Sequence, residues 1–73
     1  METIYTLINK LYDQQALTRE ESQLIFDAII KGDVDPIVLS ALLTALKIKG
    51  ETPQEIAGAA EALLANALSL IHI

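Results

Sequence analysis

Three knots of capping residues divide the chain: Thr18-Arg19-Glu20-Glu21, Gly32-Asp33-Val34-Asp35-Pro36 and Gly50-Glu51-Thr52-Pro53-Gln54-Glu55. Each has the chemistry of a helix end. In a capping box a Thr hydroxyl takes an orphan backbone N–H, and a Glu three residues later reaches back to the cap. Thr18 with Glu21, and Thr52 with Glu55, fit that pattern. Asp35 before Pro36 starts a helix equally well, because Asp can cap and proline loses nothing at the first helical position. Pro53 stands in the same place after Thr52. Gly32 and Gly50 suit the residue just past a helix C-terminus. The punctuation predicts an all-α fold, a small bundle of four short helices over about residues 2–14, 19–31, 36–49 and 53–68.

The segments between the knots have helical periodicity. Ile4, Leu7, Ile8 and Leu11 line one face of the first helix, and Leu24, Ile25, Ala28 and Ile29 one face of the second. The third is apolar nearly all round from Ile37 to Ile48, which calls for partners on two sides. In the fourth, Ile56, Ala59, Ala60, Leu63, Leu64 and Ala67 form the apolar face. Gly58 costs roughly 1 kcal/mol against Ala in a helix, and this implies close packing on a neighbouring backbone.

At 73 residues the chain is one domain, and a domain of this size hides only roughly 60% of the surface its unfolded chain exposes. With three aromatics and no cysteine, its core is aliphatic and has neither disulfide nor thiolate metal site to support it. Extra support is expected from oligomerisation or a larger attached domain. A net charge of −5 opposes binding to nucleic acid or to an anionic membrane. The most apolar stretch, Ile37 to Leu46, is interrupted by Ser40 and Thr44 and falls short of the ~20 residues of a membrane span. The first residues carry Glu2 and no basic leader. The expectation is a soluble, cytoplasmic chain without nucleic-acid or membrane partners.

No constellation reads as catalytic, cofactor-binding or metal-binding. Lys-Gly-Glu-Thr at residues 49–52 has one glycine and a carboxylate where a phosphate loop needs several glycines and Gly-Lys-Ser/Thr. Glu20 and Glu21 diverge by about 100° on a helix and cannot address one substrate atom. Asp33 and Asp35 offer a hard cation too few oxygens. His72 lacks nitrogen or sulfur co-ligands. Lys47 and Lys49 lie roughly 200° apart around a helix and read as complements to its negative end. The third helix carries no basic residue before Lys47, so it is no DNA-reading helix. Ser22 and Ser40 lack a paired histidine.

The run LTREESQLIFDAIIKGDVDPIVLSALLTALKIKGETPQEIAGAAEALLANA, Leu17 to Ala67, resembles the N-terminal helical domain of the anthranilate phosphoribosyltransferases. The most specific portions are LTREES, the Gly-x-x-x-Pro turn at Gly32 to Pro36, and LKIKGETPQEIAGAA. Residues 7–15 would be that domain's first helix. Pyrimidine nucleoside phosphorylases share a looser version, and EIAGAA favours the first family.

The resemblance implies a two-domain enzyme of tryptophan biosynthesis that transfers a phosphoribosyl group from phosphoribosyl pyrophosphate to anthranilate with Mg²⁺. Its helical domain would support the hinge, close over the cleft and supply homodimer contacts through its first and third helices. The phosphate loop, acidic metal ligands and anthranilate contacts of such enzymes belong to the large catalytic domain, which has no counterpart here. No catalytic residue, cofactor or metal is therefore expected in this chain. Mg²⁺ and phosphoribosyl pyrophosphate are expected only in the full-length enzyme. Ile4, Ile8, Leu11, Val38 and Leu42 are the expected homodimer interface, and the large domain is the second expected partner. Residues 1–67 would be the helical domain. Residues 68–73, LSLIHI, depart from the family's Pro-rich connector and are expected to be a non-native apolar tail on a truncated copy. The alternative is a free-standing helical protein-interaction module.

Overall fold

The computed structural model describes the backbone of residues 2–71 and the side chains of residues 4–67. Among these residues the secondary structure is helical: α1 (Glu2–Tyr12), α2 (Arg19–Ile30), α3 (Pro36–Lys49) and α4 (Pro53–Ile71).

The capping chemistry is present as the sequence implies. Glu21 N–H donates to Thr18 Oγ1 at 3.1 Å, and Thr18 N–H to Glu21 Oε1 at 2.9 Å. The second box has Glu55 N–H on Thr52 Oγ1 at 3.2 Å and Thr52 N–H on Glu55 Oε1 at 2.8 Å. Asp35 Oδ1 accepts from Ile37 N–H at 2.8 Å, with Pro36 at the start of α3. Gly32 and Gly50 hold φ of 78° and 86°. Gly50 is itself the C-cap of α3, one position earlier than a residue beyond the cap.

Three boundaries differ from expectation. α1 stops at Tyr12 rather than residue 14, because Gln14 turns to φ 59°. Gln14 N–H then bonds Leu11 O and Gln15 N–H bonds Lys10 O, a Schellman closure without glycine. α2 ends at Ile30 with Lys31 as its C-cap. α4 continues to Ile71 instead of ending near 68, since no Gly or Pro follows Gly58 to interrupt it. His72 and Ile73 lie outside the described residues.

Packing divides into two parts of different character. Ile4, Leu7, Ile8 and Leu11 of α1, Leu17 of the α1–α2 connector, Ile25 and Ala28 of α2, and Leu42 and Leu46 of α3 form one buried aliphatic cluster. α4 instead lies along α2 through small and polar residues. Ser22, Glu55 and Ala62 are buried there, and Gly58 sits over the backbone of Arg19 and Gln23. A Cβ on Gly58 would overlap Arg19 O, so no other residue lets the two helices come this close. The Arg19–Glu61 ion pair and an Asn66 amide bond to Asp27 Oδ1, 2.9 Å, extend the seam.

Candidate functional site

The seam turns α4 so that Glu55 and its small residues face inward. Glu55, Gly58 and Ala62 meet α2, whereas Ile56, Leu63 and Leu64 expose 59%, 63% and 63% of their surface. Ala60 and Ala67 are exposed with them, and Ala59 is half-buried. The apolar face read from the sequence is therefore the outer face of α4 in this structure, and the close packing read from Gly58 lies on the opposite side. Periodicity locates an apolar stripe but does not say whether the stripe or a close glycine contact decides which side is buried. Leu24 on α2 is likewise exposed.

At the inner end of the seam Glu55 joins two of the three connectors of the fold, α1–α2 and α3–α4. Its side chain is 2% exposed, and Oε2 accepts from Leu17 N–H at 2.7 Å in the α1–α2 connector. Oε1 accepts from Thr52 N–H and, at 2.6 Å, from the Lys49 ammonium at the end of α3. Ser22 Oγ of α2 donates to the Glu55 carbonyl at 2.6 Å. Lys49, 7% exposed, also donates to Gly50 O at 2.7 Å. Burial pushes the Glu55 carboxyl up, but the Leu17 N–H, Lys49 and the Thr52 N–H together outweigh it and leave the group below its ordinary 4.5. The carboxylate accepts from Leu17 N–H on one oxygen and from Thr52 N–H and the Lys49 ammonium on the other.

Two further carboxylates, Glu21 and Asp27, also tie helices together. Lys10 Nζ reaches Glu21 Oε1 at 2.7 Å, tying α1 to the start of α2, and its hydrogen bond followed by that of Thr18 N–H lowers the Glu21 carboxyl. Asp27 is lowered first by Asn66 and then by Lys31. No buried side-chain nitrogen or oxygen among the described residues lacks a hydrogen bond. Nor do the described residues contain three His, Cys, Asp or Glu side chains grouped to hold a metal ion. None of the helices is long and apolar enough to cross a membrane, again among the described residues.

The expected cap residues Thr18, Glu21, Asp35, Pro36, Gly32, Gly50, Thr52, Pro53 and Glu55 all stand at helix ends. The expected interface set does not lie on one surface. Ile4, Ile8, Leu11 and Leu42 are buried in the protomer's own core, and Val38 is half-buried against it. In so small a domain the stripes of α1 and α3 are needed to cover each other. The apolar residues that these helices expose are Tyr5, Tyr12, Ile37, Leu43 and Ile48. Sequence reasoning missed Lys49 and Ser22 as partners of Glu55. Lys49 reads as a complement to the helix end, and the signal for its real role was a lysine six residues before a cap glutamate that the fold buries. A groove of about 270 Å³ between α2, α3 and α4, lined by Phe26, Leu46, Ile56 and Ala59 among others, opens beside this cluster.

The helical bundle domain of the glycosyl transferase family matches residues 5–67. The chain belongs to this family. Anthranilate phosphoribosyltransferase of Photobacterium profundum is 77% identical over 64 residues, 88% of this chain and 19% of that protein. The enzyme of the same name from Vibrio cholerae is 71% identical over 62 residues, 85% of the chain and 19% of the relative. That of Aeromonas salmonicida is 65% identical over 60 residues, covering 82% and 18%. The chain thus spans about a fifth of the length of the curated relatives it matches, and what it shares with them is their helical domain. In this helical bundle domain the buried Glu55 cluster holds the α1–α2 and α3–α4 connectors together.

Proposed function

We propose that this chain acts as the non-catalytic helical domain of an anthranilate phosphoribosyltransferase, supporting the hinge and the closure of a large catalytic domain. In that reading the whole enzyme transfers phosphoribosyl from phosphoribosyl pyrophosphate to anthranilate in cytoplasmic tryptophan biosynthesis. Mg²⁺ and the diphosphate substrate are then bound by the large domain, and the 73-residue chain is inert by itself. The observation that carries this is the use of the charged groups: Glu55 with Lys49, Glu21 with Lys10 and Arg19 with Glu61 are all spent on holding helices and connectors to one another. A domain organised this way provides a rigid body, and rigidity is what a hinge support needs.

The test is a chimera in which this chain replaces the matching 64-residue segment of the Photobacterium profundum relative. Phosphoribosyl transfer at a rate comparable with the parent is expected, together with no turnover by the isolated chain. A folded chimera without activity would favour the free-standing interaction module. Turnover by the isolated chain would refute the inert assignment.

A further inference from the structure

α4 is joined to the rest of the domain without burying a large apolar side chain. Among its described residues Glu55, Gly58 and Ala62 are buried, while Ile56, Leu63 and Leu64 face outward. The aliphatic cluster is drawn from α1, the α1–α2 connector, α2 and α3, so that core closes without α4. Apolar stabilisation scales with the area withdrawn from water, and little of that area belongs to the α2–α4 seam. Parting the seam would wet Ser22, Gly58, Ala62 and the backbone of Arg19 and Gln23, whose polar groups water can satisfy.

The bonds of Glu55 fall into two sets. Those with Thr52 and with the Lys49 ammonium are made within three and six residues and would travel with α4. Those with Leu17 N–H and Ser22 Oγ span 38 and 33 residues and break if α4 moves. Farther along the seam, Glu61 on Arg19 and Asp27 on Asn66 each keep 35% of the side chain exposed, so water can replace either partner. Glu55, 2% exposed, has no such substitute, and it seats on Leu17, itself a member of the core. A released α4 would keep its capping box. Gly50, exposed at φ 86° with open space where a Cβ would stand, supplies a pivot just before it.

We propose that α4 is a hinged arm that swings off α2 as an intact helix about Gly50 while the α1–α3 core stays folded, and that the buried Glu55 carboxylate is a latch opened by protonation. This does not depend on the enzymatic reading above. Of the charged groups on the elements around Glu55, Lys49 of α3 reaches it and Glu51 of the connector lines the groove beside it. Arg19, Glu21 and Asp27 of α2 are engaged by Glu61, Lys10 of α1 and Lys31, and Glu20 is exposed. The latch is shut at neutral pH. Its contribution is complete above the ordinary 4.5 of the carboxyl and is lost as pH falls through the lower folded value.

Hydrogen exchange of the full 73-residue protein, followed residue by residue by NMR at about pH 7, tests the arm. Amides 57–62 should be protected at least about tenfold less than those of Leu11, Ile25 and Leu46, and their opening should depend less on added urea because it exposes less surface. Ile8→Val, a small cut in the core, should lower the core amides about two- to tenfold and leave 57–62 unchanged, since the core is intact on both sides of the arm's opening. Glu55→Gln, which removes the charge and keeps the shape, should lower the protection of 57–62 at least about tenfold with the α1–α3 core still folded. On acidification of the unaltered chain from about pH 6 to about pH 3, the Gly58 amide signal should leave its native position before that of Leu11. One shared exchange rate and urea dependence for all helices, a fall at 57–62 in Ile8→Val equal to that of the core, unfolding of the whole chain in Glu55→Gln, or simultaneous acid loss of the Gly58 and Leu11 signals would overturn the proposal.

Discussion

Lys49 Nζ lies 2.6 Å from Glu55 Oε1, with both side chains almost wholly out of solvent. Removing one member of such a pair leaves the other charged and buried, which typically costs about 3–5 kcal/mol. The two members are not equivalent, however. Without Lys49 the carboxylate keeps the Leu17 and Thr52 N–H groups, whereas without Glu55 the ammonium keeps only the Gly50 carbonyl and two backbone donors are left open. We expect Glu55→Ala to destabilise most, Glu55→Gln less and Lys49→Met least in urea unfolding. The reverse order would show that Lys49 rather than Glu55 organises the connectors.

Acid should unfold the domain through the same group. Glu55 and Glu21 are held below their ordinary 4.5, and Asp27 below its 3.8. A carboxyl with a lowered folded value contributes stability that is present above its unfolded value and is lost as pH falls through the folded one. Urea midpoints should therefore be level above about pH 5 and decline below it. Glu55→Gln should lower the plateau and flatten the decline. An unchanged slope in that variant would mean that other carboxyls carry the acid sensitivity.

Local chemistry made the helices legible. Thr18 with Glu21 and Thr52 with Glu55 can be recognised from residues three apart, and Asp35 with Pro36 from adjacent ones, so these ends follow from the sequence. What was hidden depends on contacts far apart in the chain. Glu55 reads as a helix cap, and only its bond to Leu17 N–H shows it to be buried. The stripe of α4 is visible in the sequence, but that it faces outward follows only from the contact of Gly58 with Arg19 and Gln23. Ile4, Ile8, Leu11 and Leu42 are rightly apolar, but periodicity cannot separate a core from an interface. Gln14 gave no signal at all, because its left-handed backbone sits on a residue type that rarely adopts it.

Gly58→Ala sets propensity against packing. In an isolated helix the change gains roughly 1 kcal/mol. Here the new methyl would meet Arg19 O, Gln23 N and Ser22 Cβ, and the first two are backbone atoms that cannot rotate away. Parting α2 from α4 would also stretch the Ser22 bond to the Glu55 carbonyl. Overpacking of this kind costs about 1–3 kcal/mol. The net result should be destabilisation, measured by thermal melting followed at 222 nm. A raised melting temperature would show that the seam has slack.

Gln14 is the place where the chain should be easiest to stabilise. It occupies the position after the α1 C-cap at φ 59°, and its N–H and that of Gln15 close the helix on Leu11 O and Lys10 O. A side chain there opposes the left-handed conformation by about 1 kcal/mol, while glycine adopts it freely. Glycine also gains entropy in the unfolded chain, and this offsets part of the benefit. Gln14 is exposed, so its substitution removes little buried surface. Gln14→Gly should raise stability by about 0.5 kcal/mol, and Gln14→Val, whose branched Cβ tolerates positive φ least, should lower it by about 1 kcal/mol. The paired comparison by urea unfolding isolates the backbone: if glycine and valine shifted the midpoint equally, α1 would not end in the left-handed turn.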